Sequence, residues 1–191
     1  MSVVRRRIAG AWMWPWRKAL RHLGPVALCA ALLLGAQLWP IRHVSGGPLP
    51  AAVLDAPLPV LAADGSRHTG SLRQEITALQ RRHPGRPIGL YIWGSWCPVC
   101  ATIRGTVDSV GRDHPVITVA LQSGETDAVA RHLASEGLAW HTLIDARGAV
   151  AGGLGFRGVP AFAVITPRGE RRWPTMGLSS PWGLRLRLWL A

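Results

Sequence analysis

An α/β layer fold with a mixed central sheet is what this 191-residue sequence predicts, and three observations predict it. Compact apolar runs rich in β-branched residues recur at 87–93, 115–122 and 160–166. Between them lie stretches with apolar residues at helical spacing, each closed by glycine or proline. The third run leads into a turn and a short return, which sets an antiparallel strand beside the others.

The N-terminus stands apart. Arg5, Arg6, Arg7, Arg17, Lys18 and Arg21 precede "LGPVALCAALLLGAQLWPI", residues 23–41, which hold no charge and are mostly apolar. At about 1.5 Å per helical residue, that run approaches the thickness of a bilayer's hydrocarbon core. The charge asymmetry places 1–22 in the cytoplasm and the remainder across a bacterial inner membrane, in the periplasm. Trp12, Trp14, Trp16 and Trp39 would be interfacial anchors. A cleaved signal peptide shares this pattern, although no A-x-A site follows the run. Leu28 before Cys29 does not fit a lipoprotein signal, so Cys29 reads as an ordinary residue of the span.

Residues 42–57, rich in Pro, Gly and Ala, read as a flexible linker, and 58–191 as the folded domain. Within it, 58–70 carry a short apolar run and the hairpin signal Asp64-Gly65. Ser71 caps a helix with Leu72, Ile76 and Leu79 on one face, ended by Pro84-Gly85. The run 87–93 is a strand buried on both faces, and a helix follows the cysteines up to His114-Pro115. A second strand occupies 115–122, then a helix at 125–137 carrying Ala128, Val129, His132 and Leu133 on or near one face. A short strand in "AWHTLID", at best a short helix in "ARGAVAGGLG", a strand at 160–166 and a return at 171–174 complete the pattern. The tail is undecided: Leu184, Leu186, Leu188 and Leu190 alternate like a strand, while Trp182, Leu186, Trp189 and Leu190 line one helical face.

The formal net charge is +12, with 22 basic residues against 10 acidic. Outside the N-terminal cluster the basic residues are scattered, which describes a solvated surface and argues against a nucleic-acid partner.

Chemistry concentrates in "WGSWCPVC". A structural zinc site needs four ligands, and the one further cysteine, Cys29, lies in the apolar run; His68, His114, His132 and His141 form no ligand pair. No metal site is therefore expected. A disulfide closing so small a ring restrains little of the unfolded chain, so a mere staple is a poor reading. A redox pair fits better, because a buried strand, the turn "GSW" and a helix place Cys97 at a helix N-terminus. There the free backbone N–H groups and the helix dipole favour a thiolate. Pro98 suits the first helical position, where a missing N–H costs nothing. Cys100, three residues on, is expected to be the more buried, making Cys97 the nucleophile and Cys100 the resolving thiol.

These residues resemble the thioredoxin superfamily over roughly residues 58–175, on "WGSWCPVC" after a buried strand, "GVPAFAVI" at 158–165 and the "TPRGE" turn. The resemblance implies a thioredoxin fold in which Pro160 is cis and lies against the cysteines. It makes Cys97, Cys100 and Pro160 the catalytic set, with Trp96, Pro98, Val99 and Val159 as substrate-binding residues; the backbone of Val159 would pair with an extended substrate segment. The interval from Cys100 to Pro160 holds an extra strand and helix, as in the membrane-tethered TlpA-like branch. The Cys-Pro-Val-Cys site, the anchor and "VITVALQSG" look most like the thioredoxin-like protein of suppressor-of-copper-sensitivity systems, which implies copper tolerance.

The implied activity is thiol-disulfide exchange with cysteine-containing periplasmic proteins. A membrane partner would reset the pair, and the Cys97–Cys100 disulfide would serve in place of a cofactor. A dedicated reductant in cytochrome c maturation and a copper-binding chaperone are the alternatives. One position departs from the family. Thioredoxins carry a buried acid six residues before the first cysteine, and here that residue is Tyr91. Glu75, Asp108 and Glu170 are candidate replacements among which the sequence does not choose.

Overall fold

The computed structural model describes residues 24, 25, 27–29, 32 and 46–191. The chain divides into two units, Met1–Pro40 and Ile41–Ala191. In the first, Gly24, Pro25, Ala27 to Cys29 and Leu32 are helical and exposed. The expected basic segment 1–22 lies wholly, and the expected span 23–41 mostly, outside the described residues. Among the described residues no helix is long and apolar enough to cross a membrane.

In the second unit, strands of β-branched and aromatic residues assemble one mixed sheet, with spatial order β1-β8-β7-β4-β5-β6-β2-β3. Its strands are β1 (Gly47–Pro48), β2 (Leu58–Leu61), β3 (Arg67–Gly70), β4 (Ile88–Trp93), β5 (Val116–Leu121), β6 (Thr142–Asp145), β7 (Ala161–Ile165) and β8 (Glu170–Met176). The helices are α1 (Ala51–Leu54), α2 (Leu72–Arg82), α3 (Pro98–Asp113), α4 (Thr126–Ser135), α5 (Ala149–Gly153) and α6 (Pro181–Trp189). β4 is central, parallel to β5 and antiparallel to β7. Every residue of β4 is buried, as the unbroken apolar run requires of a strand covered on both faces.

Alternation along β4 builds the two halves of the core. Leu90 and Ile92 point to a layer with Leu72 and Ile76 of α2 and Val150 of α5. Tyr91 and Trp93 point to the opposite layer, with Ile103, Val107 and Val110 of α3, Val129 and Leu133 of α4, and Leu184 and Leu188 of α6. The β2–β3 hairpin turns at Asp64-Gly65, where Gly65 takes φ +84° and the Asp64 carboxylate accepts from the Ser66 N–H at 2.9 Å. Ser71 and Gln74 form a capping box on α2. The interval between Cys100 and Pro160 accommodates β6 and α5, and the Asp145 carboxylate fastens α5 by accepting from the Ala151 N–H at 2.9 Å.

Two expectations need correction, and one open choice is decided. The flexible linker expected at 42–57 is not free over its described part. Gly47 and Pro48 pair with Arg171 and Glu170 of β8, and α1 buries Val53 and Leu54. A four-residue helix and a two-residue strand exist because distant elements receive them, and local propensity alone does not hold them. The returning strand is longer than 171–174, since β7 supports it over most of its length. The tail is a helix: Ser180 caps it, Pro181 opens it, and Leu184 and Leu188 bury on one side. Its strand-like alternation arises because the outer face is also apolar, with Trp182 and Trp189 exposed by 82% and 79%.

Candidate active site

The site begins where β4 runs out. After Trp93 the turn Gly94-Ser95-Trp96 swings the chain over the end of β5, and each residue of the turn is held there. The Ser95 N–H donates to Ser123 Oγ at 2.9 Å, and that hydroxyl donates in turn to the Leu121 carbonyl at 3.0 Å. The Trp96 indole N–H donates to the same carbonyl at 3.1 Å. A side chain at Gly94 would put its Cβ 2.7 Å from the Trp96 ring, so only glycine lets the indole lie across the backbone.

Cys97 is then the N-cap of α3, in extended conformation, with Pro98 in the first helical turn and no acidic side chain there. Its Sγ accepts the Cys100 N–H at 3.1 Å. That donor is one of the backbone groups that no helical carbonyl can satisfy, and it would stabilise negative charge on the sulfur in the reduced protein. Cys97 and Cys100 are disulfide-bonded, with Cα atoms 5.2 Å apart.

Across from Cys97 lies the loop before β7. The Val159-Pro160 peptide is cis, Pro160 is buried, and its carbonyl accepts from the Gly177 N–H at 2.8 Å. The Val159 carbonyl oxygen stands 3.6 Å from Cys97 Sγ. Trp96, Pro98 and Val99 are exposed, and Val159 is half-buried. Of the five residues singled out beside the cysteines, Trp96, Pro98 and Val99 adjoin them in the chain, Val159 stands at Cys97 and Pro160 follows it, and the accessible ones are apolar.

Cys100 is the more buried of the two, as expected, but only narrowly: it is 4% exposed and Cys97 6%. What distinguishes them is position: Cys97 caps the helix beside Val159, and Cys100 lies within the helix.

Behind the pair is a small cavity lined by Tyr91, Trp93, Cys100, Arg104, His132 and Trp140, among others. Trp93 stacks on His132, ring centroids 5.5 Å apart, and meets Trp140 edge-on at 5.6 Å. Tyr91 meets Trp140 edge-on at 5.7 Å. Burial raises the pKa of the Tyr91 phenol, which keeps it protonated.

None of the acids proposed from sequence lines this cavity. Glu75 sits at the other layer, its two carboxylate oxygens each 2.9 Å from Nε2 of His68 and His141. Asp108 accepts from Arg112 at 2.7 Å and from the Trp140 indole at 3.4 Å. Glu170 lies at the start of β8. Among the described residues no three His, Cys, Asp or Glu side chains are grouped so as to hold a metal ion. A larger cavity of about 400 Å³ lies by Arg86, Asp113 and His114, at the far end of α3 from the disulfide. Nothing in the sequence ties Ser123 or Trp140 to the cysteines, and the helical phase of His132, shared with Val129 and Leu133, points inward without indicating what it meets.

No family model matches the chain. The chain is 30% identical over 121 residues to a thioredoxin-like protein of Haemophilus influenzae, covering 63% of this chain and 72% of that one. It is 27% identical over 157 residues to a probable thiol:disulfide interchange protein DsbE-2 of Pasteurella multocida, covering 82% and 77% respectively. Its fold is like that of a putative thiol:disulfide interchange protein DsbE from Chlorobium tepidum, with a TM-score of 0.59 at 18% identity over 77% of this chain and 97% of the other.

Proposed function

The chain belongs to the thioredoxin superfamily, as one of its TlpA- and DsbE-like thiol-disulfide oxidoreductases, and from that premise we propose that Cys97 and Cys100 are its reacting pair, held at the periplasmic face of a membrane. The observation that carries the assignment is the placement of Cys97. It caps α3, receives the Cys100 N–H, and stands 3.6 Å from the Val159 carbonyl inside an apolar rim.

In the reducing direction the Cys97 thiolate attacks one sulfur of a substrate disulfide, and the other substrate sulfur leaves as a thiolate. Cys100 then attacks Cys97 Sγ, the mixed disulfide breaks, the second substrate thiol departs, and the Cys97–Cys100 disulfide remains. The oxidising direction is the reverse. An extended segment of a cysteine-containing protein would lie along Val159 while Trp96, Pro98 and Val99 cover its apolar side chains. The basic residues before 22 and the uncharged run 23–41 support a membrane anchor with the domain outside the cytoplasm, and the lack of an A-x-A site after the run supports its being uncleaved. We assign the resetting of the pair to a partner in the same membrane.

The decisive experiment pairs two variants. Cys97→Ser is expected to abolish exchange with a disulfide-bonded peptide, and Cys100→Ser to accumulate mixed disulfides through Cys97. Persistent exchange in Cys97→Ser would overturn the assignment, and copper retention in that exchange-dead variant would favour the chaperone. Trapped partners confined to proteins with CxxCH segments would narrow the role to cytochrome c maturation. The reduction potential sets direction: about −270 mV, as in thioredoxin, describes a reductant, and about −120 to −180 mV a donor of disulfides. Full-length chain released from membranes by alkaline carbonate would refute the anchor.

A further inference from the structure

Resolution of the mixed disulfide requires Cys100 to lose its thiol proton, and the reverse step returns one to it. The residue that performs this in thioredoxins is an acid at the position of Tyr91, and no carboxylate lines the cavity behind Cys100. We propose that His132 exchanges the Cys100 proton, through water held in this cavity by the Tyr91 hydroxyl and the Trp93 indole N–H. The inference rests on Cys97 and Cys100 being the reacting pair.

Two observations call for water there. Tyr91 and Trp93 are 1% and 3% exposed, and neither Tyr91 Oη nor Trp93 Nε1 meets a protein partner. Buried polar groups of native proteins are nearly always satisfied, and two on adjacent same-face positions of β4 share one remedy. The cavity that these two side chains line leaves about 30 Å³ open to the centre of a water molecule, room for at least one.

Elimination then selects the base. On β4, the Tyr91 phenol is kept protonated by burial and can only donate at neutral pH. On α3, Arg104 is a permanent cation engaged with Glu136, which closes α4. Asp108 is outside the lining and bonded to Arg112 and Trp140, whose indole has no basic nitrogen. His132 of α4 remains, stacked on Trp93 at the cavity wall. Imidazole is the side chain whose charge ordinarily changes between about pH 5 and 8, so it can both take and return a proton.

The step balances. The Cys100 thiol proton passes through the water to an imidazole nitrogen of His132, and the Cys100 thiolate forms the bond to Cys97 Sγ. The bond from Cys97 to the substrate sulfur breaks, and the departing thiolate takes a proton from solvent, to which the imidazolium later gives its own. The two cysteines are oxidised and the substrate disulfide is reduced.

The test uses the full-length oxidised protein in detergent, reduced by dithiothreitol and followed by tryptophan fluorescence from pH 5 to 9. Each rate is divided by the concentration of reagent thiolate. In this direction Cys100 is the leaving sulfur and imidazolium supplies its proton, so the corrected rate should be high at acid pH and fall through an inflection as pH rises. His132→Gln should remove that inflection and lower the acid plateau by about 10²-fold, the low end of general acid–base contributions. Tyr91→Phe should slow the step while keeping the inflection. An inflection that survives in His132→Gln, or a rate lowered equally at every pH, overturns the relay. Should the glutamine variant not fold, nitrogen NMR of the unsubstituted protein decides: the His132 titration must move between oxidised and reduced forms, and an unmoved midpoint refutes the proposal. A disulfide that fails to react at any pH would instead count against the cysteine assignment.

Discussion

Replacing Gly153 by alanine would test whether α1 belongs to the fold. Gly153 closes α5, and a Cβ there would overlap the Val53 Cγ2 methyl. Val53 is buried and sits in α1, within the stretch whose sequence reads as a linker. In isolation, glycine to alanine in a helix gains about 0.5–1 kcal/mol. Overpacking against a fixed neighbour costs about 1–3 kcal/mol, so Gly153→Ala should lose a net of about 0–2.5 kcal/mol, centred near about 1. Val53→Ala removes two buried methyl groups, about 1.6 kcal/mol at about 0.8 each, and more if a void remains. In the double variant the new methyl enters the space that Val53 vacates, so its loss should fall short of the sum by the overpacking cost that is relieved, about 1–3 kcal/mol. Equilibrium urea unfolding of the three variants and the parent, with unchanged slopes, reads these values. A free tether at 47–54 predicts otherwise: Gly153→Ala stabilising by about 0.5–1 kcal/mol, and coupling within about 0.3–0.5 kcal/mol of zero. That result would refute the docking of α1.

Two pH responses follow from ionisable groups. Arg185 of α6 donates to Asp113 at 2.6 and 3.1 Å and lowers its carboxyl pKa below the usual 3.8. The contribution is therefore complete above pH 3.8 and lost as pH falls through the lower folded value; acid titration of Asp113→Asn should show less loss of stability than the parent over that window. Tyr91 has the opposite sign. Its folded pKa is raised above 10 by burial, so stability is retained below pH 10 and lost as pH rises beyond it, and Tyr91→Phe should flatten this alkaline loss in urea melts at stepped pH.

The legible parts of the fold are those whose signal is local and long enough. β4, β5 and β7 are apolar runs with turn residues on both sides, and α2 and α3 carry their own caps at Ser71 and Cys97. Site residues close in sequence to the cysteines were legible for the same reason, because a strand, a turn and a helix N-terminus fix their relation. β1 and α1 were not legible. Their glycines and prolines describe a loop, and only β8 and α5, each about a hundred residues away, turn that loop into a strand and a helical turn. The α6 tail was ambiguous because apolar residues on two faces satisfy both periods at once. His132 lies far from the cysteines in sequence, and the fold alone brings it against Trp93.

The fixed indole of Trp96 bears on how tolerant the enzyme can be of its partners. Flexible surface side chains lose about 0.5–1.5 kcal/mol each in freedom when a partner immobilises them. Trp96 is 55% exposed, yet its ring is already bonded to the Leu121 carbonyl and laid across Gly94. Under the proposed docking, a polypeptide covering it would gain a broad apolar contact without that entropic charge. Because the contact is a flat ring and asks for no particular side chain, unrelated sequences around a cysteine could share it, and discrimination among them would have to come from elsewhere.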